Sequence, residues 1–180
     1  MKRTVYKLFW AWNFEKEEKW INKMSAEGWQ LDSVQVFRYV FTKGNPDEYV
    51  YRLELLENVP FHSESKKYLQ FLEETGVECI GSYIRWVYLR KNKAYGEFEL
   101  FSDIDSKIKH YKRLFTLFIA IMLINVPSGI SNITMVLSTK NVANLVIGLL
   151  NAVIGVVCIY VCIIWAKKIK KLEQEKLIRE

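Results

Sequence analysis

The stretch EKWINKMSAEGWQL, residues 18–31, returns in altered form as KKYLQFLEETGVEC, residues 66–79. With Gly28 set on Gly76, Trp20 falls on Tyr68, Ile21 on Leu69, Met24 on Leu72, Val36 on Ile84, Phe41 on Leu89 and Lys43 on Lys91. Upstream, VYKLFWAWN (residues 5–13) matches VYRLELLEN (residues 50–58). Each copy reads as an alternating strand, a helix with apolar residues three and four apart, a glycine that stops the helix, and a second strand. Two βαβ units in series predict an α+β fold, a ferredoxin-like β-α-β-β-α-β domain with both helices on one face of an antiparallel sheet.

Local signals agree with that frame. Asn13 is placed to cap the first helix, with Glu15, Glu17 and Glu18 against its positive end, and Ser63 or Ser65 to cap the second. Gly28 and Gly76 sit where a left-handed residue ends a helix. The segment from Thr42 to Glu48, with Gly44, Asn45, Pro46 and Asp47, reads as the turn between the copies. GEFELFSD, Gly96 to Asp103, is a candidate edge strand. Alternation places Tyr6, Leu8 and Trp10 in the core, as it does their repeat equivalents Tyr51, Leu53 and Leu55.

The rest of the chain is of another kind. From Leu114 to Ala166 a single charged residue, Lys140, interrupts an apolar block. LFTLFIAIMLINVPSGISNITMVL (114–137) and VANLVIGLLNAVIGVVCIYVCIIWA (142–166) each exceed the roughly 20 residues needed to cross a bilayer as a helix. Asn125, Pro127, Ser128, Gly129 and Asn132 predict a kink or local unwinding in the first, with an end near Val126 as the alternative. The expected organisation is a soluble domain (1–103), a basic connector (104–113), a first span (114–137), an external turn (138–141), a second span (142–166) and a basic tail (167–180). MKRTVYKLFWAWNF lacks a full apolar run and a small-residue cleavage site, so no signal peptide is expected.

The charge of +6 is distributed accordingly. Residues 1–105 carry 15 basic and 17 acidic side chains, whereas Lys107, Lys109, Lys112, Arg113, Lys167, Lys168, Lys170 and Lys171 flank the apolar block. This is a membrane signature, and it places both termini in the cytoplasm of a multi-pass cell-membrane protein. A nucleic-acid binder would hold its excess charge on the folded domain, so no nucleic acid is expected.

Candidate sites follow from the open sheet face. Lys7, Phe9, Arg38, Arg52, Trp86, Tyr88 and Arg90 form a basic and aromatic surface for a protein partner or a small ligand. Asn125, Asn144 and Asn151 are expected to pack between the membrane helices through hydrogen bonds. Cys158 and Cys162, four apart on one helix face, read as small packing residues. No metal or cofactor spacing is present, and His62 and His110 have no catalytic pattern beside them, so neither a cofactor nor an enzyme is expected.

EKWINKMSAEGWQL, YVYRLEL, KKYLQFLEETGVE, WVYLRK and the connector FSDIDSKIKHYKR together resemble the bacterial family domain of unknown function 2812, common in Firmicutes, over about residues 5–113. The second copy has Gly76-Val77 in place of the Gly-Trp pair of the first. The resemblance implies a membrane tail and, because such genes often lie beside PadR-type regulators, a regulatory setting. It carries over no functional residues. The expected function is a membrane-anchored sensing or protein-interaction module with a lipid bilayer, a protein partner or a second copy as its partners. The alternative is a small oligomeric transport or export component.

Overall fold

The computed structural model describes residues 1–101 and 103–179, Arg179 without its side chain. It divides into two compact units, Met1–Leu100 and Phe101–Glu180.

The first unit is α+β, as the repeat predicts, but each copy holds one strand more than βαβ. The first copy contains β1 (Lys2–Tyr6), α1 (Phe14–Ala26), β2 (Trp29–Gln35) and β3 (Arg38–Lys43). The second contains β4 (Tyr49–Leu55), α2 (Ser63–Glu74), β5 (Val77–Tyr83) and β6 (Trp86–Asn92). The run after each helix is thus a hairpin. It turns at Val36–Phe37 and at Ile84–Arg85, where Phe37 (φ 60°) and Ile84 (φ 57°) take the left-handed conformation. Gly, Asn and Asp are the residues that announce such turns. Neither turn has one.

Two antiparallel three-stranded sheets result, ordered β1-β3-β2 and β4-β6-β5, in place of one continuous sheet. Each carries a bulge at the same place in its copy, between Leu31 and Ser33 and between Cys79 and Gly81. Gly28 (φ 80°) and Gly76 (φ 82°) end the helices in the left-handed conformation, as expected. The caps differ. Asn13 makes no side-chain cap bond, and His62 Nδ1 accepts from the Glu64 N–H at 3.4 Å, leaving Ser63 and Ser65 inside α2.

The helices do not share a face. Tyr68, Leu69 and Leu72 of α2 pack on a cluster containing Val77, Val87 and Leu89. Strand alternation sends Trp86 and Tyr88 to the opposite face of that sheet. There α1 lies: the Phe14 and Trp86 rings are 5.3 Å apart, and Glu17 bonds Tyr88. The same helix covers the other sheet through Trp20, whose ring stands 5.0 Å from Tyr39 and 5.6 Å from Phe41. Helix α1 is therefore packed on both sides, and the free sheet face expected from a ferredoxin-like layout is occupied.

Two further expectations are corrected. Tyr51, Leu53 and Leu55 are buried, but Tyr6, Leu8 and Trp10 are 75%, 52% and 53% exposed. The chain leaves β1 after Tyr6 to reach α1, and Phe9 turns inward to lie 5.5 Å from Trp20. Gly96–Leu100 forms no strand; Phe98 is instead buried in the cluster on the α2 side.

The second unit is a pair of helices, α3 (Ile104–Thr139, 36 residues) and α4 (Val142–Arg179, 38 residues). At 1.5 Å per residue each is over ~50 Å long, well beyond a ~30 Å hydrocarbon core. Both are long and apolar enough to cross a membrane, and only 17% and 28% of their most apolar stretches are buried, unlike core helices of a soluble domain. Helix α3 runs unbroken through Pro127, so an end near Val126 is excluded. Around it Asn125 Nδ2 donates to the Ile121 carbonyl at 2.8 Å and Ser128 Oγ to that of Ile124 at 2.7 Å.

The seam between them repeats every seven residues. On α4 it runs through Gly148, Gly155, Cys158, Cys162, Trp165, Ile169 and Leu172, all buried. A Cβ on Gly148 would lie 2.8 Å from Ile133 Cγ1, and one on Gly155 2.9 Å from Val126 Cγ2. Glycine there allows close helix approach. Outside the apolar block the helices stay paired through Lys112–Glu173 (2.7 Å), Lys176–Asp105 (2.9 Å) and Lys168 over the Tyr111 ring (4.5 Å).

Candidate functional site

Four segments of the first unit converge on a cavity of about 110 Å³. The link before α1 supplies Phe9 and Ala11, and the first turns of α1 supply Phe14 and Glu17. The β2–β3 hairpin supplies Gln35, Val36, Phe37 and Tyr39, and the β5–β6 hairpin supplies Tyr83, Trp86 and Tyr88. Both copies therefore contribute equivalent hairpins to one site. Seven of its eleven lining residues are aromatic, in a chain that is 14% aromatic, so the wall is no average sample of the sequence.

Glu17 lies at its base. It is 7% exposed, and Tyr39 and Tyr88 both donate to its Oε1, at 2.7 and 2.6 Å. Among the described residues, Oε2 takes no hydrogen bond and no lysine or arginine pairs with the carboxylate. Burial raises the Glu17 pKa above its ordinary value, and the two phenols pull it part of the way back. Both phenols are in turn held far above their ordinary range, first by burial and then by the nearby carboxylate.

The floor is closed and the rim open. Phe14, Tyr39 and Tyr88 are buried, whereas Val36 (47%), Phe37 (50%) and Tyr83 (43%) reach solvent. The left-handed backbone of Phe37 sets one corner of that rim; such conformations concentrate at functional sites.

The structure divides the seven surface residues expected from the sequence. Phe9, Trp86 and Tyr88 line the cavity. Lys7 stands beside it, its Nζ 5.0 Å from the Phe9 ring and 4.6 Å from Trp20. Arg38 Nη1 donates to Gln35 Oε1 at 3.3 Å. Arg52 pairs with Glu18 at 3.4 Å, while Arg90 pairs with Glu78 at 2.7 Å and stacks over Tyr49. Sequence reasoning missed Glu17 as a site residue, placing it only against the positive end of the first helix. Its signal was spacing: Phe14, Glu17, Ile21 and Met24 form one helical stripe, in which a carboxylate is out of place.

Of the three asparagines expected between the apolar helices, Asn125 bonds its own helix, Asn144 Nδ2 reaches Thr139 Oγ1 at 3.4 Å, and Asn151 packs against Gly129. His62 caps α2, and the His110 ring lies 5.0 Å from Phe101 and 5.8 Å from Tyr111.

No match was found among curated proteins or among solved structures. A family model described as Protein of unknown function (DUF2812) matches residues 13–123, from the threshold of α1 through both hairpins and into α3. It spans more than half of the chain, together with every helix and hairpin that builds the cavity; the chain belongs to the DUF2812 family.

Proposed function

We propose that this protein is a membrane-anchored sensing or protein-interaction module, regulatory and non-enzymatic, that takes its ligand or partner at the cavity between the two hairpins. One observation carries the reading: a small aromatic cavity with a buried floor and a solvent-exposed rim is assembled from both copies of the repeat. Pockets of this make-up, apolar walls with a few convergent polar groups, are the usual form of ligand sites.

The anchor is the α3–α4 hairpin. Basic residues from Lys107 to Arg113 and from Lys167 to Lys171 bracket its apolar portion, against Lys140 alone at the turn. By the positive-inside rule the hairpin keeps the cavity domain and the chain end in the cytoplasm.

The test is photo-crosslinking in native membranes, with a probe residue in place of exposed Tyr83, followed by identification of what is caught. Capture of a discrete species that Trp86→Ala abolishes supports the reading. Identical capture by the variant removes the cavity from consideration, and a full-length chain that stays in the aqueous fraction removes the anchor.

A further inference from the structure

The cavity holds a carboxyl group that no lysine or arginine among the described residues pairs. Glu17 is surrounded by phenols and aromatic rings, and its hydrogen-bond partners are the two neutral hydroxyls of Tyr39 and Tyr88. A buried carboxylate without a cation is costly in an apolar setting. A ligand bearing positive charge would relieve that cost, where a neutral or anionic one would not. The walls point the same way: ring faces attract cations, most strongly the indole of Trp, here Trp86. The protein already uses this attraction next to the site, with Lys7 over the Phe9 ring.

Size narrows the class. A volume of 110 Å³ is far below the ~300 Å³ at which drug-sized pockets begin. It suits one compact head group, with any attached chain passing the apolar rim at Val36, Phe37 and Tyr83. Bare metal ions fit poorly, because the wall is ring carbon and the oxygen donors are few.

We infer that the cavity binds the ammonium group of a small organic cation, quaternary or alkylated, with Glu17 as its counter-ion and Trp86 among its aromatic walls. The inference rests on the reading of this cavity as a ligand site. An ammonium head of this kind occurs on free metabolites or xenobiotics and on choline lipids, and the experiment separates the two.

Full-length protein in an uncharged maltoside detergent is titrated with choline and, separately, with the uncharged analogue in which carbon replaces the ammonium nitrogen. Tryptophan fluorescence reports occupancy, and calorimetry measures affinity. Choline should bind at least about tenfold more tightly than the analogue, a ratio set by ion-pair and cation–π attraction. Glu17→Gln, which keeps an acceptor for both tyrosines, should cut that ratio to the smaller part that cation–π attraction supplies and leave analogue binding unchanged. Phe37→Ala, at the exposed rim, should weaken both ligands. Competition by short-chain phosphatidylcholine assigns the head group to a lipid, and its failure while free choline binds assigns a soluble cation; either result upholds the ammonium site. Equal affinity for choline and the analogue, or unchanged choline binding in Glu17→Gln, overturns the cation assignment alone. Absence of binding by either ligand overturns it together with the reading of the cavity as a ligand site.

Discussion

The side-chain amide of Asn22 pairs with the backbone of Tyr51 as a neighbouring strand would. Its Oδ1 accepts from the Tyr51 N–H at 2.9 Å, and its Nδ2 donates to the Tyr51 carbonyl at 2.9 Å. Glu18 Oε2 extends the pattern by accepting from the Leu53 N–H at 3.0 Å. Strand β4 lies at the edge of its sheet, and α1 thereby satisfies groups that an edge leaves open. The link joins the helix of the first copy to the first strand of the second.

Asn22→Ala removes the partner of the Tyr51 N–H and leaves the Tyr51 carbonyl with Arg52 Nη1 alone, at 3.1 Å. It should destabilise the first unit by about 2 kcal/mol. Asn13→Ala, at the position where the sequence leads one to expect a cap, should change stability by less than about 0.5 kcal/mol, because Asn13 makes no cap bond. Urea unfolding followed by tryptophan fluorescence compares the two; equal losses would contradict the role assigned to Asn22.

The Glu17 carboxyl has a folded-state pKa above its ordinary value of 4.5, chiefly through burial. As pH rises, the unfolded chain releases that proton first. The stability it contributes is therefore full below 4.5 and lost as pH climbs through the raised folded value. Glu17→Gln has no such loss, so the difference between variant and wild type should move in the variant's favour toward neutral pH. The size is about 1.4 kcal/mol for each pH unit between the folded and unfolded pKa. Glu18, also raised by burial, is present in both proteins and cancels. Parallel stability curves from acid to neutral pH would refute the assignment.

Ile84 is a β-branched residue at φ 57° and 66% exposed. Its branched Cβ suits that conformation poorly, whereas Asn tolerates it. Ile84→Asn should raise stability by about 1 kcal/mol, read as a higher urea midpoint with an unchanged slope. No gain would mean that the β5–β6 turn holds no strain.

In the hairpin of helices, Gly148 and Gly155 differ in what a methyl group would strike. At Gly148 it meets Ile133 Cγ1 at 2.8 Å and the Ile133 backbone nitrogen at 3.2 Å; at Gly155 it meets only the tip of Val126, at 2.9 Å. A side chain can rotate away and a backbone cannot. Gly148→Ala should cost about 1–3 kcal/mol and Gly155→Ala less. Loss of helicity on titration with a denaturing detergent measures both, and the reverse order would argue against a seam that passes through Gly148.

The repeat, the α+β class, the helix-ending glycines and the two long apolar helices could all be read from residue order, because each depends on spacing within a short window. Equivalent positions do bury together where each helix covers its own sheet: Phe41 and Leu89 are 0% and 1% exposed. The relation between the copies could not be read that way. Trp86 and Tyr88 are the repeat counterparts of Arg38 and Val40, yet the second pair stays partly exposed while Tyr88 is buried on α1 and Trp86 packs on Phe14. Only the tertiary structure decided this. A single α1 serves both sheets and α2 serves one, so like positions in the repeat meet unlike neighbours. That asymmetry closes the cavity over Glu17, since burial of a carboxylate depends on what packs against it from remote segments rather than on the helical spacing that presents it.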